Sequence, residues 1–171
     1  MPTKDFLGDH HIVSGVYPVA DCFATSKTTD YVCLRDYRRA TFLIHCGNST
    51  GGDSDGVITV LAADDADATN AVAMAFKYRT CASSTTVDTW GALTAATSSG
   101  VAMNGADNYM YAVEVTADEV LAAGLGDSTA HDADWVALKV TEDTDDPVVA
   151  GIIIILSDPR YPQAVPRTAI A

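Results

Sequence analysis

Over most of the chain, apolar and polar residues alternate one for one, the period of a strand with one face buried. Residues 71–81 show it most cleanly. Val72, Met74, Phe76 and Tyr78 point one way, and Ala73, Ala75, Lys77 and Arg79 the other. Residues 40–46 place Phe42, Ile44 and Cys46 on one face, with Thr41, Leu43 and His45 opposite. Three further segments follow suit: 57–63 aligns Ile58, Val60 and Ala62; 109–115 aligns Tyr109, Tyr111, Val113 and Val115; 135–142 aligns Val136, Leu138 and Val140. Residues 12–20 alternate loosely around Pro18, which confines them to an edge strand or to a strand with a break. Residues 31–34 are a short strand behind the Ser-Lys-Thr-Thr-Asp turn. Segments 40–46 and 57–63 flank the Gly-rich connection 47–56, which predicts that they pair as a hairpin. The sparsely patterned stretch 83–107 holds at most one short strand, near 89–93.

Residues 148–156, Val-Val-Ala-Gly-Ile-Ile-Ile-Ile-Leu, depart from the alternation. Such a run needs cover on both faces. At about 3.3 Å per residue it makes a strand roughly 30 Å long, and it falls far short of the about 20 apolar residues of a membrane helix. The run therefore predicts a central strand, or one whose second face meets another subunit. On the second alternative Ile152 and Ile154 are expected at an interface, joined by Pro159, Arg160, Tyr161 and Ile170 from the segment that follows. Pro159, Pro162 and Pro166 mark residues 157–171 as an extended arm. Fully drawn out, that arm spans on the order of 45–50 Å.

One helix is signalled. Thr116 suits the N-cap, Glu119 completes a capping box, and Gly124 suits a left-handed exit, for about two turns. Residues 1–11 lack periodicity and read as an N-terminal arm. The expected organisation is an N-terminal arm (1–11), a β domain (12–156) and a Pro-rich C-terminal arm (157–171). About eight strands with one short connecting helix predict an all-β, antiparallel β-sandwich or jelly roll. A parallel α/β sheet would need a helix after nearly every strand.

Composition narrows the function more than the fold. The chain has 171 residues, enough for one domain with its own core. Lys and Arg number 10 against 23 Asp and Glu, a formal net charge of −13. That surface repels phosphate backbones, so nucleic acid is not an expected partner. No Arg/Lys-flanked apolar segment opens the chain, so no secretory signal is expected. Cys22, Cys33, Cys46 and Cys81 form no C-x-x-C pair, and the first three sit in or beside apolar strand patterns, where thiols behave as small hydrophobes.

Candidate chemistry is sparse. Gly47-Asn48-Ser49-Thr50-Gly51 matches the nucleophile-elbow spacing, but it joins strand to strand, whereas the elbow needs a helix behind the serine. Asp53-Ser54-Asp55-Gly56 resembles part of a calcium loop, yet aligning Asp53 and Asp55 to its third and fifth positions leaves Gly51 and Ala62 where carboxylates belong. Asp64, Asp65 and Asp67 form a second acidic loop. Solvated turns are the default at both, with weak calcium binding the alternative. His10, His11, His45 and His131 lack metal-ligand spacing, and His45 and Cys46 point to opposite faces of their strand. Trp90, Tyr109, Tyr111 and Trp135 make either a sugar-stacking platform or, as the alternation of the tyrosines favours, core packing. No catalytic, cofactor or metal residue is assigned, and no enzymatic activity is expected.

Several stretches together carry a resemblance: 40–46 with its Gly-rich loop, Phe76-Lys77-Tyr78-Arg79, Trp90-Gly91-Ala92-Leu93, Leu156-Ser157-Asp158-Pro159-Arg160-Tyr161, and Thr168-Ala169-Ile170. The chain resembles structural proteins of tailed-bacteriophage virions, of the capsid decoration (cement) type. That resemblance implies a small sandwich or jelly roll, made in the host cytoplasm and carried on the capsid exterior. It implies the major capsid protein as partner, a homo-oligomer (dimer or trimer) clamping neighbouring capsomers, no cofactor and no membrane. The alternatives are a carbohydrate-binding or adhesion module on the same fold, or another virion component of tail or neck.

Overall fold

The alternating segments become strands of two antiparallel sheets in a computed structural model, which describes residues 6–49, 56–81, 88–103, 108–128, 131–142, 147–161 and 168–170. In chain order the elements are α1 (Phe6–Asp9), β1 (His11–Val19), β2 (Lys27–Thr28), β3 (Val32–Cys33), β4 (Tyr37–Ser49), β5 (Val57–Ala63) and β6 (Val72–Met74). There follow β7 (Phe76–Cys81), β8 (Thr94–Ala96), β9 (Val101–Ala102), β10 (Met110–Thr116), α2 (Ala117–Leu125), β11 (Trp135–Thr141) and β12 (Val148–Pro159). The first sheet runs β1-β12-β4-β10-β7-β8. The second runs β2-β11-β5-β6, with β3 also on β11 and β9 on β5. The all-β sandwich expected from the pattern is the fold. The strands beyond the expected eight are pieces of two or three residues, too short to show a period.

The inner faces of the two sheets share one core. Phe42 and Ile44 of β4, Tyr111 and Val113 of β10, and Ile152, Ile154 and Leu156 of β12 fill it from the first sheet. Ile58, Val60, Val136, Leu138 and Val140 fill it from the second. β12 is hydrogen-bonded on both edges, to β1 and to β4, which makes it the central strand its composition predicts. Opposite residues of an antiparallel pair share a face. Ile152 sits across from Ile44 and Ile154 across from Phe42, so the even positions point inward, while Ile153 across from Leu43 points outward. Ile152 and Ile154 are 1% and 0% exposed. They belong to the core and are not surface groups, which corrects the interface expectation for both. In a run apolar at every position, nothing local tells odd from even, and a one-residue slip exchanges the faces.

Three connections differ from the pattern's expectation. β4 lies in the first sheet and β5 in the second, so the two strands form no hairpin. Residues 71–81 break at Ala75 into β6, paired with β5, and β7, paired with β10. Met74 and Phe76 both stay buried, because the chain turns the corner between sheets without changing which side faces the core. The short strand expected at 89–93 forms instead at β8, with Trp90 making a single bridge to Cys81.

The termini also depart from the expected arms. His11 already pairs with Leu156, and a helical turn, α1, precedes it. β12 continues past Leu156, pairing Ser157 with Arg39 and Pro159 with Tyr37. β1 no longer flanks it there, the kind of position where a residue without an N–H is tolerated. The Cys33 amide donates to the Ala169 carbonyl (2.9 Å), and Ile170 packs against the core. The last described residues therefore return to their own domain; residues 162–167 of the expected arm lie outside the described residues.

The capping box forms as its spacing predicts. The Glu119 amide donates to Thr116 Oγ1 (3.2 Å), and the Thr116 amide donates to Glu119 Oε2 (2.9 Å). Gly124 is not the exit. A Cβ there would lie 2.6 Å from the His131 carbonyl oxygen and 2.7 Å from Ala133 Cβ, so it lets the segment before β11 press on the helix. The helix ends one residue after Leu125, at Gly126, in a right-handed conformation.

Burial pushes the Glu119 carboxyl up, but the Thr116 amide, the Lys77 ammonium and the Thr116 hydroxyl outweigh it and hold the group below its usual range. A depressed carboxyl stabilises the fold above its unfolded pKa of about 4.3 and loses that contribution as pH falls through the lower folded value. We expect Thr116→Ala to cost about 0.5–2 kcal/mol. Urea melts at neutral pH, and again below about pH 4, should show that loss shrinking in acid. An acid-independent loss would show that Glu119 takes no part in it.

Candidate functional site

The outer face of the first sheet divides into two unlike halves. Across β10 and β7 it is charged: Glu114 sits opposite Lys77 and Ala112 opposite Arg79. Lys77 pairs with Glu119 (3.0 Å), and Arg39 lies 3.6 Å from both Glu114 and Asp158. Across β1, β12 and β4, up to the first residue of β10, the same face is aliphatic. Ile12 pairs with Ile155, Ile153 with Leu43, and Met110 with His45, all with outward parity. Val149 and Ile153 are 47% and 46% exposed.

A groove of about 540 Å³ runs along this aliphatic half. Among the described residues lining it, none is Asp, Glu, Lys or Arg, and His45 is the one titratable side chain. The floor is low at Gly151. A Cβ there would lie 3.0 Å from Pro18 Cγ, so the missing side chain lets β1 close over β12. β1 itself is irregular. Its register with β12 shifts between Ser14 and Val16 and again before Val19, which turns Tyr17 outward at the rim, 75% exposed. The twin breaks around Gly15 and Pro18 are the broken edge strand that Pro18 predicts.

The six residues expected at an interface do not share this surface. Ile152 reaches the groove only from beneath, as a core residue, and Ile154 lies in the core without lining it. Arg160 and Tyr161 are exposed beyond the end of β12, where the Arg160 amide donates to the Asp36 carbonyl (2.8 Å). Pro159 is half-buried opposite Tyr37, and Ile170 lies against the core. Ile12, Leu43, Met110, Val149 and Ile153 are what the pattern passed over. The available signal was Leu43, an aliphatic residue on the polar parity of β4 and in register with the doubly apolar run.

The other chemical candidates are placed as follows. Ser49 ends β4, and residues 50–55, with both aspartates of the first acidic loop, lie outside the described residues. In the second loop Asp65 Oδ1 accepts from the Thr69 and Asp67 amides (3.0 Å each), and those bonds, Thr69's first, hold its carboxyl below the usual range. This is a turn closed on its own backbone. Among the described residues no group of three or more His, Cys, Asp and Glu is arranged to hold a metal ion. His45 is exposed and Cys46 buried, on opposite faces. Burial raises the Cys22 and Cys33 thiols, away from the reactive thiolate.

The four rings of the sugar-platform alternative are dispersed. Tyr111 is in the core and stacks at a tilt on Tyr109, with ring centroids 5.8 Å apart. Trp135 packs with Tyr31, Ala63 and Ala137 on the far side of the second sheet, and Trp90 bridges to Cys81 in the first.

No family model matches the chain, and no curated protein matches it. Among solved structures, the chain is similar to the SPBc2 prophage-derived protein YomS, with a TM-score of 0.40 and 18% identity over 85% of this chain and 93% of that one.

Proposed function

We propose that the chain is a non-enzymatic structural protein of a bacteriophage virion, bound to the capsid exterior, where it stabilises contacts between major capsid protein subunits. One observation carries the reading: an otherwise strongly acidic domain leaves half of one sheet face aliphatic and uncharged. Exposed apolar area forgoes roughly 25 cal/mol for each Å² left in water, and soluble monomers seldom keep contiguous apolar patches beyond a few hundred Å². Such a face marks an association surface. A catalytic pocket instead brings several polar and titratable groups together, and among the described residues this groove contains His45 alone of titratable groups. The stretches quoted for the phage resemblance, from 40–46 to Thr168-Ala169-Ile170, support the choice of virion as the place of association.

Cryo-imaging of heads of the host phage, with and without added protein, tests the reading. Ordered extra density on the capsid exterior is expected. Density confined to tail or neck, or none at all, overturns it.

A further inference from the structure

We infer that the aliphatic half-face of the first sheet is covered by the same half-face of a second copy, in a two-fold dimer stacked sheet on sheet. This rests on the reading of that face as an association surface and assigns it to assembly between copies, so that the dimer meets the capsid through its remaining surface. Charge selects the occupant. Each copy carries a formal −13, so two copies approach most readily where carboxylates are absent, and the described residues of the groove lining include none. A cationic partner would be drawn to the acidic remainder of the surface instead.

Geometry selects face over edge. Pro18 and the two register breaks make β1 a poor template for another strand, and at the opposite edge β8 has only three residues. A two-fold axis brings a patch against itself, with Val149 and Ile153 of one β12 over those of the other at the about 10 Å spacing of stacked sheets.

Area sets the strength. The seven positions of β12 from Val149 to Ile155, and the three strands β1, β12 and β4, give a footprint of about 23 by 14 Å. That is on the order of 330 Å² per copy and roughly 650 Å² for the pair before side-chain relief is added, below the about 1,000 Å² of a stable interface and in the range of a weak, transient one. Tyr17 and Val19, exposed on the rim, extend it. A dimer of this size forms and dissociates with concentration.

Sedimentation of the full chain over a concentration series tests the inference. A monomer–dimer equilibrium is expected, weakened more than about tenfold by Ile153→Asp because a carboxylate would be desolvated in each copy, with circular dichroism and melting unchanged. Val149→Lys should do the same and stands in if the first variant misfolds. A wild-type chain that stays monomeric throughout, one that forms trimers, or variants that dimerise at full strength would each overturn the dimer. Head decoration by a strictly monomeric chain overturns the dimer alone. A dimer that leaves heads bare supports this inference and overturns the virion reading alone.

Discussion

Ile154→Asp will leave no folded protein, while Ile153→Asp, one position earlier on the same strand, will fold. Ile154 is fully buried between Val13 of β1 and Phe42 of β4. The core around it is aliphatic and aromatic, and none of its described residues is a cation that could pair a carboxylate. Burying that group costs several kcal/mol even after it takes up a proton, against a total stability of about 5–15 kcal/mol for a domain. Ile153 faces solvent across from Leu43, where an Asp stays hydrated. Soluble yield, circular dichroism and urea melts of the two variants read the parity of β12 directly. A folded Ile154→Asp protein that has lost self-association would place the core on the other side of the strand.

Phe42→Ala is expected to remove about 3–5 kcal/mol, the range for emptying a buried aromatic site. Phe42 occupies the middle of β4 and is flanked on the inner face by Ile154 of β12 and Val113 of β10. All three side chains are fully buried. Strands held by hydrogen bonds on both sides cannot close in around a vacancy, so the cavity term should persist. At about 2–4 °C per kcal/mol for a chain of this length, melting should fall by roughly 6–20 °C. A loss under about 1 kcal/mol would mean that Phe42 lies at a collapsible margin and not at the centre.

Legibility followed the strength of local contrast. Where polar and apolar residues alternate, as at Phe42-Leu43-Ile44-His45 or Val113-Glu114-Val115, the inward set read from the chain is the set found in the core. Thr116 and Glu119 announced α2 because both partners of a capping box lie within four residues. Gly124 misled because two glycines, Gly124 and Gly126, suit an exit equally. Only the packing of the 131–133 segment against the helix assigns the first to close approach. The corner at Ala75 was invisible for a related reason: a strand that changes sheets keeps its period of two.

By itself, then, the sequence determined an all-β sandwich with a central, doubly apolar strand, a broken edge strand at Pro18, one capped helix and a strongly acidic surface. These properties depend on a residue and its near neighbours, through periodicity, ring constraint, capping and charge. Tertiary structure alone decided that Ile152 and Ile154 face inward and Val149 and Ile153 outward, and that β4 and β5 part into different sheets. It also decided that the aliphatic side chains of β1, β12, β4 and β10 merge into one uncharged half-face. Parity in a uniformly apolar run and the choice of sheet are set by register with strands as much as a hundred residues away, as between Phe42 and Ile154. No local pattern carries that information, since it exists only once the strands are paired.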